Sequence, residues 1–252
     1  MVTNAAEAYV MQKAVSVKDV QLYYHDLAGE TQAIKNISFD VSDGEFVSIV
    51  GPSGCGKSTL LSILCGLLKP SFGNVYIKEG SKTGYMLQKD HLFEWRTIFS
   101  NACLGLEVQK NLDCNTKLAV HELLKKYGLE QCCNCYPSQL SGGMRQRAAL
   151  IRTLATKPDI LFLDEPFSAL DYQSRLNVSE DISGIIRSEK KTAVLVTHDI
   201  SEAIALSDRV IVLSKRPAVI KAEFKIDIQG NPRFSPKFRE YFDRIWKELD
   251  KQ

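Results

Sequence analysis

Nine consecutive residues, Gly51-Pro52-Ser53-Gly54-Cys55-Gly56-Lys57-Ser58-Thr59, combine the residue types that hold a polyphosphate. Glycines at 51, 54 and 56 allow a tight turn whose backbone N–H groups aim inward at an anion. Lys57 has the charge and reach for the β- and γ-phosphates, and the Ser58 hydroxyl is placed to ligate Mg2+. The flanks suit the chemistry. An apolar, β-branched run, Phe46-Val47-Ser48-Ile49-Val50, leads into the loop, and a helical run, Leu60-Leu61-Ser62-Ile63-Leu64, leads out of it. That helix adds its positive dipole end at the same point. A glycine-rich turn that binds nothing needs none of this spacing, so residues 51–59 predict a nucleotide site.

Two carboxylates form the next candidate group. Ile160-Leu161-Phe162-Leu163 is unbroken and apolar, as in a parallel strand buried on both faces, and it ends in Asp164-Glu165-Pro166. Such strand ends are where α/β sheets place their ligands. An isolated Asp-Glu pair is usually only a solvated strand end. Beside a phosphate loop, Asp164 is expected to hold Mg2+ through water and Glu165 to polarise the attacking water.

A third group lies between them. In Gln139-Leu140-Ser141-Gly142-Gly143-Met144-Arg145-Gln146-Arg147, Ser-Gly-Gly is a poor helix interior, whereas Arg145 to Leu154 is a good helix former. Ser141, Gly142 and Gly143 therefore sit at a helix N-terminus, which attracts an anion. Elsewhere such a triplet is often a simple helix cap. One chain does not need two anion sites for one phosphate, so this tip is expected to meet the γ-phosphate held by another copy.

In order and spacing these segments resemble the nucleotide-binding subunit of an ATP-binding-cassette (ABC) transporter, over about Val15 to Leu213. Leu140-Ser141-Gly142-Gly143-Met144 resembles the signature, Ile160 to Glu165 the Walker B strand, and Ser168-Ala169-Leu170-Asp171 the D-loop. His198 in Val196-Thr197-His198-Asp199 resembles the switch histidine, and Gln88 in Tyr85-Met86-Leu87-Gln88 the Q-loop glutamine. Tyr24 matches the aromatic that stacks on adenine. Met144 stands where the signature usually has glutamine, which resembles the importers of nitrate, sulfonates and taurine. Phe93-Glu94-Trp95-Arg96-Thr97, Asp164-Glu165-Pro166-Phe167, Ser207 to Leu213, Arg216-Pro217 and Pro232-Arg233 add to that likeness. ATPases of thiamine-precursor and riboflavin importers are similar too.

The resemblance implies an α/β P-loop NTPase fold with a RecA-like, mostly parallel sheet, an antiparallel β subdomain and an inserted α-helical subdomain. It implies one nucleotide-binding domain over 15–250, with core segments 15–90 and 146–215, a helical part at about 91–145, and a final strand and amphipathic helix at about 216–250. Two copies would enclose two ATP–Mg2+. Tyr24 would stack on adenine, Lys57 and the 51–56 amides hold phosphates, and Ser58, Gln88 and Asp164 arrange the metal. Glu165 and His198 would be catalytic, with Ser141, Gly142, Gly143 and Asp171 completing the nucleotide site at the junction of the copies. The partners implied are membrane permease subunits, docking near Trp95 and Arg96, and indirectly an extracytoplasmic solute-binding protein. The expected place is the cytoplasmic face of the membrane, as a peripheral subunit.

The remaining residues narrow the alternatives. With 32 basic and 30 acidic residues and no basic arm, the chain lacks the charge that drives nucleic-acid binding. No apolar run approaches the ~18–20 residues of a membrane span, and Met1 to Glu7 lacks the basic start of a secretion signal. A non-transport ATPase of this fold, acting in DNA repair or translation, usually carries coiled-coil or zinc insertions or a second cassette, absent here. A small-molecule P-loop kinase would have no signature segment. Seven cysteines, an odd number, predict free thiols. Cys132 and Cys135 have the gap of a metal or redox pair but no matching second pair. Cys55 is expected close enough to nucleotide to be alkylated. His25, His91 and His121 read as surface or packing residues. The spacing of Phe238, Tyr241, Phe242, Ile245, Trp246 and Leu249 predicts an amphipathic helix packed on its own domain.

Overall fold

The computed structural model describes residues 12–26, 29–168, 170–228 and 235–251. Ala169, Pro232-Arg233 and the Met1–Glu7 start thus lie outside the described residues. Among the described residues nine strands form two sheets. The first is antiparallel, in the order β2-β1-β4: β1 (Lys13–Asp26), β2 (Gly29–Ser42) and β4 (Phe72–Ile77). Val15, Val17, Val20 and Leu22 line the buried face of β1. The sequence suggests a loop at Gly29, Glu30 and Thr31, but β2 already begins at Gly29, paired with Asp26. Backbone pairing needs no apolar side chain, so the ladder runs on past the core.

The turn at Asp43-Gly44, with Gly44 at φ 74°, hands the chain to the second sheet. Its order is β5-β6-β7-β3-β8-β9: β3 (Phe46–Val50), β5 (Thr83–Met86), β6 (Ile160–Asp164), β7 (Thr192–Thr197), β8 (Arg209–Leu213) and β9 (Ile220–Lys225). All pair in parallel except β8 with β9. β3, β6 and β7 are buried at every position, as expected where both faces are covered. Side chains of β6 alternate between two cores. Ile160 and Phe162 pack with Val17, Ile37 and Leu60, while Leu161 and Leu163 pack with Leu124, Leu150 and Ile186.

Helix α1 (Lys57–Leu64) follows β3. Between β5 and α5 (Gly142–Ala155) lie α2 (Ile98–Ala102), α3 (Leu104–Val108) and α4 (Cys114–Lys126). A capping box of Asp113 and Thr116 starts α4, and Gly128, at φ 74°, follows its end. The thiols of Cys132, Cys133 and Cys135 are free and pack against the core under these helices. The chain continues with α6 (Tyr172–Ser188), α7 (Ile200–Leu206) and α8 (Pro236–Asp250). On α8 the apolar stripe buries Ile245 and packs Phe238, Tyr241, Phe242 and Leu249. Trp246 departs from the stripe: it is 57% exposed and stacks on Phe242.

Candidate functional site

Parallel register assembles the site. β3 and β7 pair Val50 with Thr197, and β6 and β7 pair Asp164 with Val196. The residues just beyond these ends, Gly51, Glu165 and His198, therefore emerge together at the carboxyl ends of three adjacent interior strands.

The phosphate loop turns through Gly54 at φ 73° and Gly56 at φ 119°. Gly56 caps α1 without a side chain, leaving the helix end open to an anion. Lys57 is only 5% exposed. Its ammonium donates to the carbonyls of Gly51 at 2.9 Å and Pro52 at 3.2 Å, and lies 3.7 Å from Glu165 Oε1. Cys55 is a correction to the sequence reading. It is 1% exposed, packs in the apolar core, and burial pushes its thiol up, so it is shielded from alkylation. Its Sγ fills the space behind Gly51, where a Cβ would come within 2.9 Å of it.

Asp164 accepts from Ser58 Oγ at 2.8 Å and from the Tyr85 hydroxyl at 3.1 Å. Burial raises its carboxyl above the usual range, and those two bonds offset only part of the effect. Burial likewise raises Tyr85, with the Asp164 charge adding to it. Glu165 adopts φ 40°, unusual for a side-chain-bearing residue, and its Oε2 sits 3.0 Å from His198 Nδ1. The hydroxyl of the half-exposed Tyr24 lies 3.1 Å from Thr59 Oγ1, placing its ring at the start of α1.

Gln88 makes no hydrogen bond to Ser58 or Asp164 among the described residues. It lies past the end of β5, and its amide donates to Ser168 Oγ at 3.5 Å. Asp171 is exposed, and its carbonyl accepts from the backbone N–H of Arg175. Ser141 caps α5, its hydroxyl accepting from Met144 N–H at 3.4 Å. A Cβ on Gly142 would fall 3.0 Å from Leu170, and one on Gly143 2.8 Å from Val178. The glycines thus let the helix tip press against Leu170 and α6. Among the described residues no hydrogen bond joins this tip to residues 51–59. Trp95 is 74% exposed and stacks on Phe93, while Arg96 pairs with Glu107.

Three residues of the site escaped the sequence reading. Tyr85 is one, although alternation along the strand leading to Gln88 could have flagged it. Arg175 and Glu202 are the others. Glu202 is buried, accepts from the Thr197 hydroxyl at 2.7 Å, and is pushed up to about 7, chiefly by burial. Neither lies in a motif, and only tertiary packing brings them behind His198.

Fold and site together define a P-loop ATPase cassette. The chain belongs to the ABC transporter family, whose pattern matches residues 34–168, and it is an ATP-hydrolysing member. It is 46% identical over 239 residues to the ABC transporter ATP-binding protein YtlC of Bacillus subtilis, covering 90% of this chain and 92% of that one. It is 37% identical over 244 residues to the aliphatic sulfonates import ATP-binding protein SsuB of Bacillus cereus, covering 94% and 95%. Among solved structures it is similar to the dimeric, post-hydrolysis ATP-binding cassette MJ0796 bound to ADP and Pi. That match has a TM-score of 0.74 and 33% identity, covering 85% of this chain and 99% of the other. Among the described residues no helix is long and apolar enough to cross a membrane.

Proposed function

We propose that this chain energises import of a small solute, such as nitrate, a sulfonate or taurine, through a separate membrane permease. The likeness to a sulfonate import subunit over nearly the whole of both chains carries this reading. It also favours transport over DNA repair or translation. The domain would span 15–250, with the helical part at about 91–145 turned to the permease and the stacked Phe93 and Trp95 near that contact. The chain would sit peripherally on the cytoplasmic face of the membrane, served indirectly by an extracytoplasmic binding protein.

In this reading two copies enclose two ATP, as the related cassette structures are dimeric. Tyr24 stacks on adenine. Lys57 leaves the Gly51 and Pro52 carbonyls for phosphate oxygens, and the amides of 51–56 complete the cradle. The donor set fits Mg2+. Ser58 and Asp164 bring two hard oxygens to within 2.8 Å of each other, the donor type that this cation takes. Ser58 and Asp164 would hold the ion, with Gln88 as a further oxygen donor, and it would supply positive charge to offset that of the β- and γ-phosphates. Glu165 accepts the proton of the attacking water, and His198 orients Glu165 and supports the γ-phosphate. Ser141, Gly142 and Gly143 of the second copy close the site, with Asp171 beside the junction. The two copies hold together while the γ-phosphate links them and part once it is lost.

Glu165→Gln tests the reading, since it keeps the shape of the side chain and removes the base. The variant should bind ATP, hydrolyse it at least ~100-fold more slowly, and elute as an ATP-dependent dimer on size exclusion. Wild-type turnover would remove Glu165 from the mechanism.

A further inference from the structure

One guanidinium reaches both loops that flank the His198–Glu165 pair. Arg175, in the first turn of α6, donates from Nη2 to the carbonyl of Leu170 at 3.2 Å. Its Nη1 lies 3.5 Å from Asp199 Oδ2 and its Nε 3.7 Å from Glu202 Oε1. Leu170 belongs to the segment 168–171, and Asp199 directly follows His198.

The side-chain bonds of Thr197 and Asp199, on either side of His198, lead back to this side chain. Asp199 Oδ1 caps α7, accepting from the N–H groups of Ser201 at 2.8 Å and Glu202 at 3.2 Å. Its other oxygen, Oδ2, is the one facing Arg175. The Thr197 hydroxyl donates to Glu202 Oε2 and accepts from the Asp199 N–H at 3.0 Å. The residues on either side of His198 are thus fixed by side-chain bonds, and both chains of bonds end at carboxylates facing Arg175. Its charge lies against both acidic side chains of the turn that aims the imidazole. Leu170, the third partner, is also the residue against which Gly142 of the signature tip is pressed.

An ion pair that merely joined α6 to α7 would need one carboxylate and no contact with residue 170. We infer that Arg175 is a positioning residue for ATP hydrolysis, which holds the 197–199 turn against Leu170 and so keeps His198 on Glu165. The inference rests on the role proposed for His198. Arg175 touches neither nucleotide nor water; it acts through His198.

A double-mutant cycle on the full chain separates this role from a structural one. Arg175→Met should lower kcat at least ~10-fold while KM for ATP stays within ~2-fold, because the phosphate cradle is untouched. Arg175→Lys keeps the charge without the planar fork, so it should lose most of the activity that Met loses, and it serves as the probe if the Met variant folds poorly. In a His198→Ala background the same substitutions should change kcat, read by single turnover, by less than ~2-fold. A slow His198→Ala enzyme that Arg175→Met slows further by the same factor as wild type overturns the inference alone. Wild-type kcat in Arg175→Met or Arg175→Lys overturns it as well. Wild-type kcat in His198→Ala removes His198 from the reaction, and the inference with it.

Discussion

Arg145 and Asp90 are joined by two hydrogen bonds, Nε to Oδ2 at 2.8 Å and Nη2 to Oδ1 at 3.1 Å. Arg145 lies in the first turn of α5, where a cation opposes the helix dipole, and Asp90 lies two residues past Gln88. Farther along α5, Arg152 donates to the carbonyls of Asp90 and His91, each at 2.7 Å. The stretch after Gln88 is thereby tied along the helix whose tip carries Ser141. Burial alone would raise the Asp90 carboxyl, but the Arg145 fork and the Leu92 N–H hold it below the usual range.

Asp90→Asn should therefore cost about 1–3 kcal/mol at pH 7, because it weakens a charge-assisted fork and leaves Arg145 less compensated. A depressed carboxyl contributes stability above its unfolded pKa and loses it as pH falls through the folded value. Urea denaturation should show the difference at pH 7 shrinking towards pH 3. An equal difference at both would detach it from the Asp90 charge.

Lys57→Ala should weaken ATP binding at least ~10-fold and abolish hydrolysis while the chain still folds, because the compact ammonium bonds loop carbonyls at the proposed phosphate cradle rather than packing in the hydrophobic core. Titration calorimetry showing wild-type affinity would contradict that placement.

Ser141→Arg should leave ATP binding to the single chain intact and block ATP-driven pairing, since the signature tip makes no hydrogen bond to residues 51–59 among the described residues. Mixing it with Lys57→Ala gives the sharper measurement. A head-to-tail pair has one site with both lesions and one with neither, so some hydrolysis should return. Mixed pairs that form but stay inactive at every ratio would sink a site built from two chains.

Glu202 supplies a pH dependence of the opposite sign to Asp90. Its folded pKa is raised from 4.5 to about 7, so the folded state binds the proton more tightly. The stability this gives is full below the unfolded pKa and is lost as pH rises through about 7. Glu202→Gln should gain stability relative to wild type between pH 5 and pH 8, on the order of 2–3 kcal/mol. Parallel stability curves across that range would place the burden elsewhere.

The sequence exposed the parts of the site that depend on local chemistry. The loop at 51–59, the strand ending in Asp164 and the serine-capped helix at 141 each carry composition that few other structures tolerate. The fully buried strands were legible for the same reason. The contributions of Tyr85, Arg175 and Glu202 were not, because tyrosine, arginine and glutamate are ordinary surface residues until packing desolvates them. Cys55 was misjudged because its place in the motif suggested nearness to ligand, whereas its side chain turns inward to the core behind Gly51. Gly29 to Thr31 read as a loop from polarity alone, while hydrogen bonding between strands decided the matter.

Lys57 rests on the carbonyls of Gly51 and Pro52, 3.7 Å from Glu165, so the loop holds its own cation against its own oxygens. Under the proposed function, nucleotide entry would exchange one set of oxygen acceptors for another. The turn is thus pinned from within by the lysine that follows it, and the geometry of residues 51–56 is written into the chain itself.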